Sequence, residues 1–166
     1  MARCLIVGCG CRGLALAREL KTAGHAIRGT TRDPGRRPEL ESQGVESFVG
    51  DPDRVGTLVP ALAHVGVVCI LLGSAAGPSE QLAALHGTRL DMLLERMLDT
   101  TVRGVVYERS GSVDPALLAR GAERVRYACE RSLIPYVLLE ADPSDYAGWP
   151  ALAAAAVHSA LLNRAA

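Results

Sequence analysis

The chain has little with which to hold a polyanion or a membrane. Lysine occurs once, at Lys21, and the 18 basic residues, nearly all arginine, are matched by 18 acidic ones. With no net field, general attraction to nucleic acid or to an anionic surface is excluded. A cysteine framework is also missing. Cys4, Cys9, Cys11, Cys69 and Cys129 are odd in number and scattered through apolar runs, which reads as a reduced, cytoplasmic chain and not as a secreted disulfide scaffold. No four ligands stand at zinc-like spacing, so no metal is expected. His25, His64, His86 and His158 form no triad or ligand spacing and read as surface or boundary residues. The apolar start, Met1 to Gly10, is too short for a signal sequence or a span, and the last apolar stretch is interrupted by Pro150 and His158. Internal repeats, low-complexity tracts and long linkers are absent, so residues 1–166 read as a single domain.

What is present is alternation. Six apolar runs of strand length are separated by longer segments of helical period, which predicts an α/β chain of parallel strands joined by helical crossovers. The strands are Arg3 to Val7, Ala26 to Thr31, "VESFV", "GVVCILLG", "RGVVYE" and "PYVLLEA". The helices are Cys11 to Ala23, a short one beginning within "RDPGRRPEL", Asp53 to Ala63, Glu80 to Asp99, Pro115 to Ser132 and about Pro150 to Leu162. Gly24 supplies a left-handed helix stop, and Pro115 sits at the first-turn position that tolerates a missing amide.

The segment "IVGCGCRGLALA" places Gly8, Gly10 and Gly13 in a GxGxxG pattern that starts where a strand ends and finishes inside a helix. Gly8 allows the tight turn, Gly10 lets a pyrophosphate approach the backbone, and Gly13 lets helix and strand pack closely. Amides near Cys11 and Arg12 then face the phosphates, helped by the helix dipole, and Cys9 between the first two glycines is counted among the cofactor-binding residues. This context predicts a three-layer Rossmann fold, its six parallel strands in the order 3-2-1-4-5-6. At the end of strand two, "GTTRDP" offers Arg32 to a 2′-phosphate, with Thr30 or Thr31 as hydroxyl partners, so NADP is expected before NAD; Asp33 is the residue that would instead serve the ribose of NAD.

The ordered set "GCGCRG", "RGTTRDP", "VGDP", "GVVCILLG", "HGTRLDMLLERM" and "RGVVYERSGSV" resembles the extended and atypical short-chain dehydrogenase/reductase family, which includes the sugar-nucleotide epimerases. The resemblance implies that Asp51 and Pro52 lie near an adenine, that Leu72, Gly73 and Ser74 border the rest of the cofactor, and that Ser110 stands at the family's active-site serine. It also brings out a gap. The family's YxxxK pair, in which a tyrosine transfers a proton and a lysine lowers its pKa, falls here near Pro115 and Ala119, which can do neither. Tyr107 lies inside strand five, and Tyr127 comes a turn too late and reads as a helix-face packing residue. Glu108 and Arg109 read as solvent-facing loop charges. Only one helix follows strand six, so a substrate-binding region is expected to be missing.

These readings favour an NAD(P)-binding protein, a sensor or carrier without the standard catalytic pair. One alternative is a reductase or epimerase/dehydratase of a nucleotide sugar or similar small molecule, using Ser110 with Tyr127 or Glu108 as the acid. Another is a homodimeric interaction module built on the apolar helix "ALAAAAVHSALL". Cys9 and Cys11 form a CxC at a helix start, where a lowered thiol pKa would make them redox-active; filling by small residues is the plainer explanation.

Overall fold

In β1 (Arg3–Val7) the side chains alternate between two cores: Cys4 and Ile6 face one, Leu5 and Val7 the other. A strand covered on both sides must be apolar throughout, which is why "CLIV" is uninterrupted. The computed structural model describes residues 1–163, and in it β1 is central to a six-stranded sheet in which every neighbouring pair is parallel. The other strands are β2 (Ala26–Thr31), β3 (Glu46–Val49), β4 (Val67–Ile70), β5 (Gly104–Glu108) and β6 (Tyr136–Leu139). Their spatial order is β3-β2-β1-β4-β5-β6, as the sequence predicts, and the register sets Ile6 opposite both Gly29 and Cys69.

One face of the sheet is covered by α1 (Cys11–Thr22), α2 (Arg37–Ser42) and α6 (Trp149–Leu162), whose Leu16, Leu40 and Trp149 share a core with Ile6. The other face is covered by α4 (Thr88–Met97) and α5 (Pro115–Ser132). In α4 the buried Leu90, Leu93, Leu94 and Met97 follow helical spacing, so one stripe meets the sheet. Asp114 caps α5 by accepting from the Ala116 amide, one residue before Pro115. The apolar stretch of α6 is turned inward: Ala153, Ala156, Val157 and Ala160 are buried, and a Cβ at Gly104 of β5 would come within 3.3 Å of the Ala160 Cβ. Its apolar character thus has an explanation within one chain, without a second copy.

Two expected helices differ. Residues 53–63 form two 3-10 turns, Val55–Thr57 and Val59–Leu62. Pro60 has no amide for a regular helix, and the carbonyls of Ala61 and Ala63 accept instead from the buried Arg28 guanidinium, at 2.6 and 2.9 Å. The segment expected as one helix from Glu80 to Asp99 is broken into α3 (Ser79–Leu85) and α4 at His86–Gly87. His86 is not a surface residue. It is buried, with one ring nitrogen 2.6 Å from the Tyr107 hydroxyl and the other 3.0 Å from the Leu72 carbonyl, so the chain must leave helical geometry to place it. His25 and His158, far apart in sequence, also meet, with their Nε2 atoms 3.2 Å apart.

Candidate functional site

A cleft of about 880 Å³ opens at the carboxyl ends of the strands, where sheets of this topology bind ligands. Its floor is the turn from β1 into α1. Gly8 has φ +82°, and a Cβ there would lie 2.8 Å from the Leu71 carbonyl oxygen. The Gly8 and Cys9 amides donate back to Thr30, to its hydroxyl at 3.2 Å and its carbonyl at 3.1 Å, which ties the turn to β2. Gly13 presses on the strand: a Cβ would meet Cys9 Sγ and Ile6 Cγ2, both at 3.2 Å. Gly10 faces open space, with nothing within 4 Å of where its Cβ would be, and α1 has no side-chain cap. The first amides of α1, from Cys11 to Gly13, have no intrahelical partner, so they and the helix dipole are free to meet an anion in the cleft.

The expected residues largely converge. Gly8, Cys9, Gly10, Cys11, Arg12, Gly13, Thr31, Arg32, Asp33, Pro52, Leu72, Ser74 and Ser110 all line the cleft. Asp51 and Gly73 do not line it. The Asp51 carboxylate accepts from the Asp53 amide in a local turn, and buried Gly73 backs the wall. Asp33 caps the next turn through its bond from the Gly35 amide at 2.8 Å, whereas Arg32 is exposed and makes no ion pair among the described residues. The threonine hydroxyls expected to help Arg32 are engaged: Thr30 with the Gly8 amide, Thr31 with the backbone of Asp33. Arg36, which carried no motif, also lines the cleft and donates to the Cys9 carbonyl at 3.1 Å.

Cys9 is turned into the core, and burial pushes its thiol up to about 11, the nearby Arg36 charge only partly opposing this. Cys11 is exposed beside it. The CxC spacing is therefore explained by a small buried side chain at position 9, which disfavours a redox pair. Among the described residues no group of three or more histidine, cysteine or acidic side chains could hold a metal, and no helix is long and apolar enough to cross a membrane.

Several polar residues occupy places that the sequence does not predict. Glu108 is completely buried beneath the floor, where Arg12 pairs with both of its carboxylate oxygens and the Gly73 amide donates to it at 2.9 Å. The reading of Glu108 as a loop charge is thus corrected; Arg109 alone faces outward, 3.5 Å from exposed Glu140. Tyr127 is 63% exposed and bonded to Arg131, so it neither packs nor reaches the cleft. Tyr146, in the loop between β6 and α6, does line the cleft with Ser110. No motif marks Tyr146; only the folding of that loop over the strand ends brings it there.

The sheet order, the glycine turn and the cleft together define a doubly wound domain of the Rossmann class. No protein-family model matches the sequence, and no curated protein matches it. Solved structures do. The fold is similar to that of a short-chain dehydrogenase/reductase superfamily protein from Agrobacterium tumefaciens with bound NAD, at TM-score 0.68 and 22% identity, over 83% of this chain and 48% of that one. It is similar to Citrobacter sp. triphenylmethane reductase complexed with NADP(H), at TM-score 0.66 and 23% identity, over 83% and 48%. A protein described as an NAD-dependent epimerase/dehydratase from Bacillus halodurans matches at TM-score 0.68 and 20% identity, over 86% and 71%. The resemblance carried by the motifs thus holds at the level of fold, while the chain spans about half the length of the first two structures.

Proposed function

We propose that residues 1–166 form one domain that binds a nicotinamide dinucleotide, NADP before NAD, in the cleft at the carboxyl ends of the strands. The observation that carries this reading is the uncapped start of α1, whose amides meet open space over Gly10. The diphosphate would lie on the amides of Cys11 to Gly13, with the adenosine end toward Arg32 and Pro52. The preference for NADP rests on Arg32 and Arg36, two guanidinium groups at the end of β2, and on Asp33, whose carboxylate is already taken by the Gly35 amide. When bound, such a cofactor supplies a hydride donor or acceptor. The deciding experiment is calorimetric titration of the purified chain with NADPH and NADH. Saturable binding with NADPH the tighter is expected, and Arg32→Ala should weaken NADPH more than NADH. No binding of either at about millimolar concentration, equivalent to roughly 4 kcal/mol, overturns the reading.

A catalytic reading, as reductase or epimerase/dehydratase, is favoured by Ser110 and Tyr146 lining the same cleft. Its other suggested acids are poorly placed, Tyr127 on the outer face of α5 and Glu108 sealed under Arg12. Turnover of cofactor in a substrate panel, lost in both Ser110→Ala and Tyr146→Phe, is the expected result if this reading holds.

A further inference from the structure

Glu108 is fully buried at the end of β5, and its partners are Arg12, which lines the cleft, and Gly73, which backs the cleft wall. Arg12, the second residue of α1, donates to both carboxylate oxygens, and its guanidinium lies over the Trp149 ring at 5.2 Å to the centroid. The Gly73 amide, from the loop after β4, donates to Oε1 at 2.9 Å, and the Gly73 carbonyl accepts from Val113 beyond β5 at 3.0 Å. One carboxylate therefore ties together the turn after β1, the loop after β4 and the end of β5. A buried ion pair is weak as a source of stability, since apolar side chains of similar size often serve as well, and its use here is to set the spacing of the elements that carry its donors.

We infer that Glu108 is a positioning residue for the diphosphate and nicotinamide end of the dinucleotide. It holds Arg12 and the Gly73 loop so that the α1 amides and the wall after β4 keep one spacing, while the adenosine end, built on β2, does not depend on it. The arrangement of residues supports this division: Asp33 and Arg36 are anchored through Thr31, Gly35, Glu39 and the Cys9 carbonyl, Arg32 is exposed, and none of the three is bonded to Glu108. Arg12 itself lines the cleft, so the pair with Glu108 fixes a guanidinium at the wall of the cleft.

The inference rests on the dinucleotide reading, and the test separates the two. NADPH and adenosine 2′-monophosphate, which carries the adenosine end without either phosphate of the diphosphate, are titrated against the full chain, Glu108→Gln, and the double variant Arg12→Leu with Glu108→Leu. Both probes should bind the unaltered chain; failure of both removes the dinucleotide reading itself. Glu108→Gln is expected to weaken NADPH about tenfold and to leave adenosine 2′-monophosphate within about twofold. The double variant removes both charges and retains packing, so it is expected to melt cooperatively with little change in midpoint and still to show the same selective loss. If Glu108→Gln does not fold, Glu108→Asp, which keeps the charge but shortens the reach to Arg12 and Gly73, decides instead by the same selective loss. Equal loss of both probes, or unchanged NADPH affinity in a folded variant, overturns the positioning role and makes the pair purely structural.

Discussion

Gly29 of β2 stands under the phosphate turn, and its substitution is the most searching perturbation of how the sheet holds that turn. A methyl group at position 29 would lie 2.8 Å from Cys9 Sγ, 2.9 Å from Cys9 Cβ and 3.1 Å from Val45 Cγ1. The two contacts with Cys9 are shorter than a methyl carbon tolerates and that with Val45 is tight, and Cys9 is sealed between β1, β2 and α1 with 1% exposure, so it has nowhere to turn. Overpacking of this kind costs about 1–3 kcal/mol. Near the middle of that range, Gly29→Ala should lower the melting temperature by about 4–8 °C, since 1 kcal/mol corresponds to about 2–4 °C in a domain of this size. Relief must come through movement of Cys9, whose amide bonds Thr30 and whose neighbours are the glycines of the turn. NADPH affinity should therefore fall with stability. Cys9→Gly vacates the space, so the double variant should be more stable than the sum of the single effects predicts, by about 1–2 kcal/mol. Thermal melts of the four proteins, with calorimetric titration of each, measure both quantities. Additivity within about 0.5 kcal/mol, or a destabilised Gly29→Ala with unchanged NADPH affinity, refutes the coupling of β2 to the phosphate turn.

Arg36→Ala should weaken NADPH by about 1.5–3 kcal/mol while changing NADH less, because a charge-assisted bond to a phosphate would be lost; equal weakening in calorimetry would assign Arg36 to the turn alone. Burial pushes the thiols of Cys4 and Cys129 up to about 12 and that of Cys9 up to about 11, and lifts Cys69 as well, whereas Cys11 is exposed. A thiol reagent at neutral pH should therefore modify one cysteine of the native protein rapidly, with NADPH protecting it, and a second fast thiol would contradict the packing. Burial also lowers the His86 pKa, the bond to Leu72 only partly opposing it, and the groups facing its ring are the Tyr107 hydroxyl and the Leu72 carbonyl. The unfolded chain then takes up a proton first as pH falls below about 6.5, so stability is full above that value and declines below it until the folded-state pKa is reached. Melting temperatures from pH 8 to 5 should show this decline, and His86→Gln should flatten it; an unchanged slope would remove His86 as a cause.

The order of elements, the glycine turn and the position of the cleft were legible in the residues because each follows from local chemistry. A strand covered on both faces must be continuously apolar, as "CLIV" and "VVCI" are, and a turn that enters a helix with no side chain over its amides must be glycine-rich, as Gly8 and Gly10 make it. Helix continuity was less legible, since the breaks at residues 55–62 and at His86 depend on distant partners, Arg28 and Tyr107, as well as on local residues such as Pro60. Only the tertiary structure decided the fate of the charged and polar side chains. Arg12 and Glu108 are 96 residues apart, and Tyr146 enters the cleft from a loop without any motif. Whether a carboxylate is solvated or buried depends on which strand ends are adjacent and which donors they bring, and that becomes defined only when the sheet is assembled.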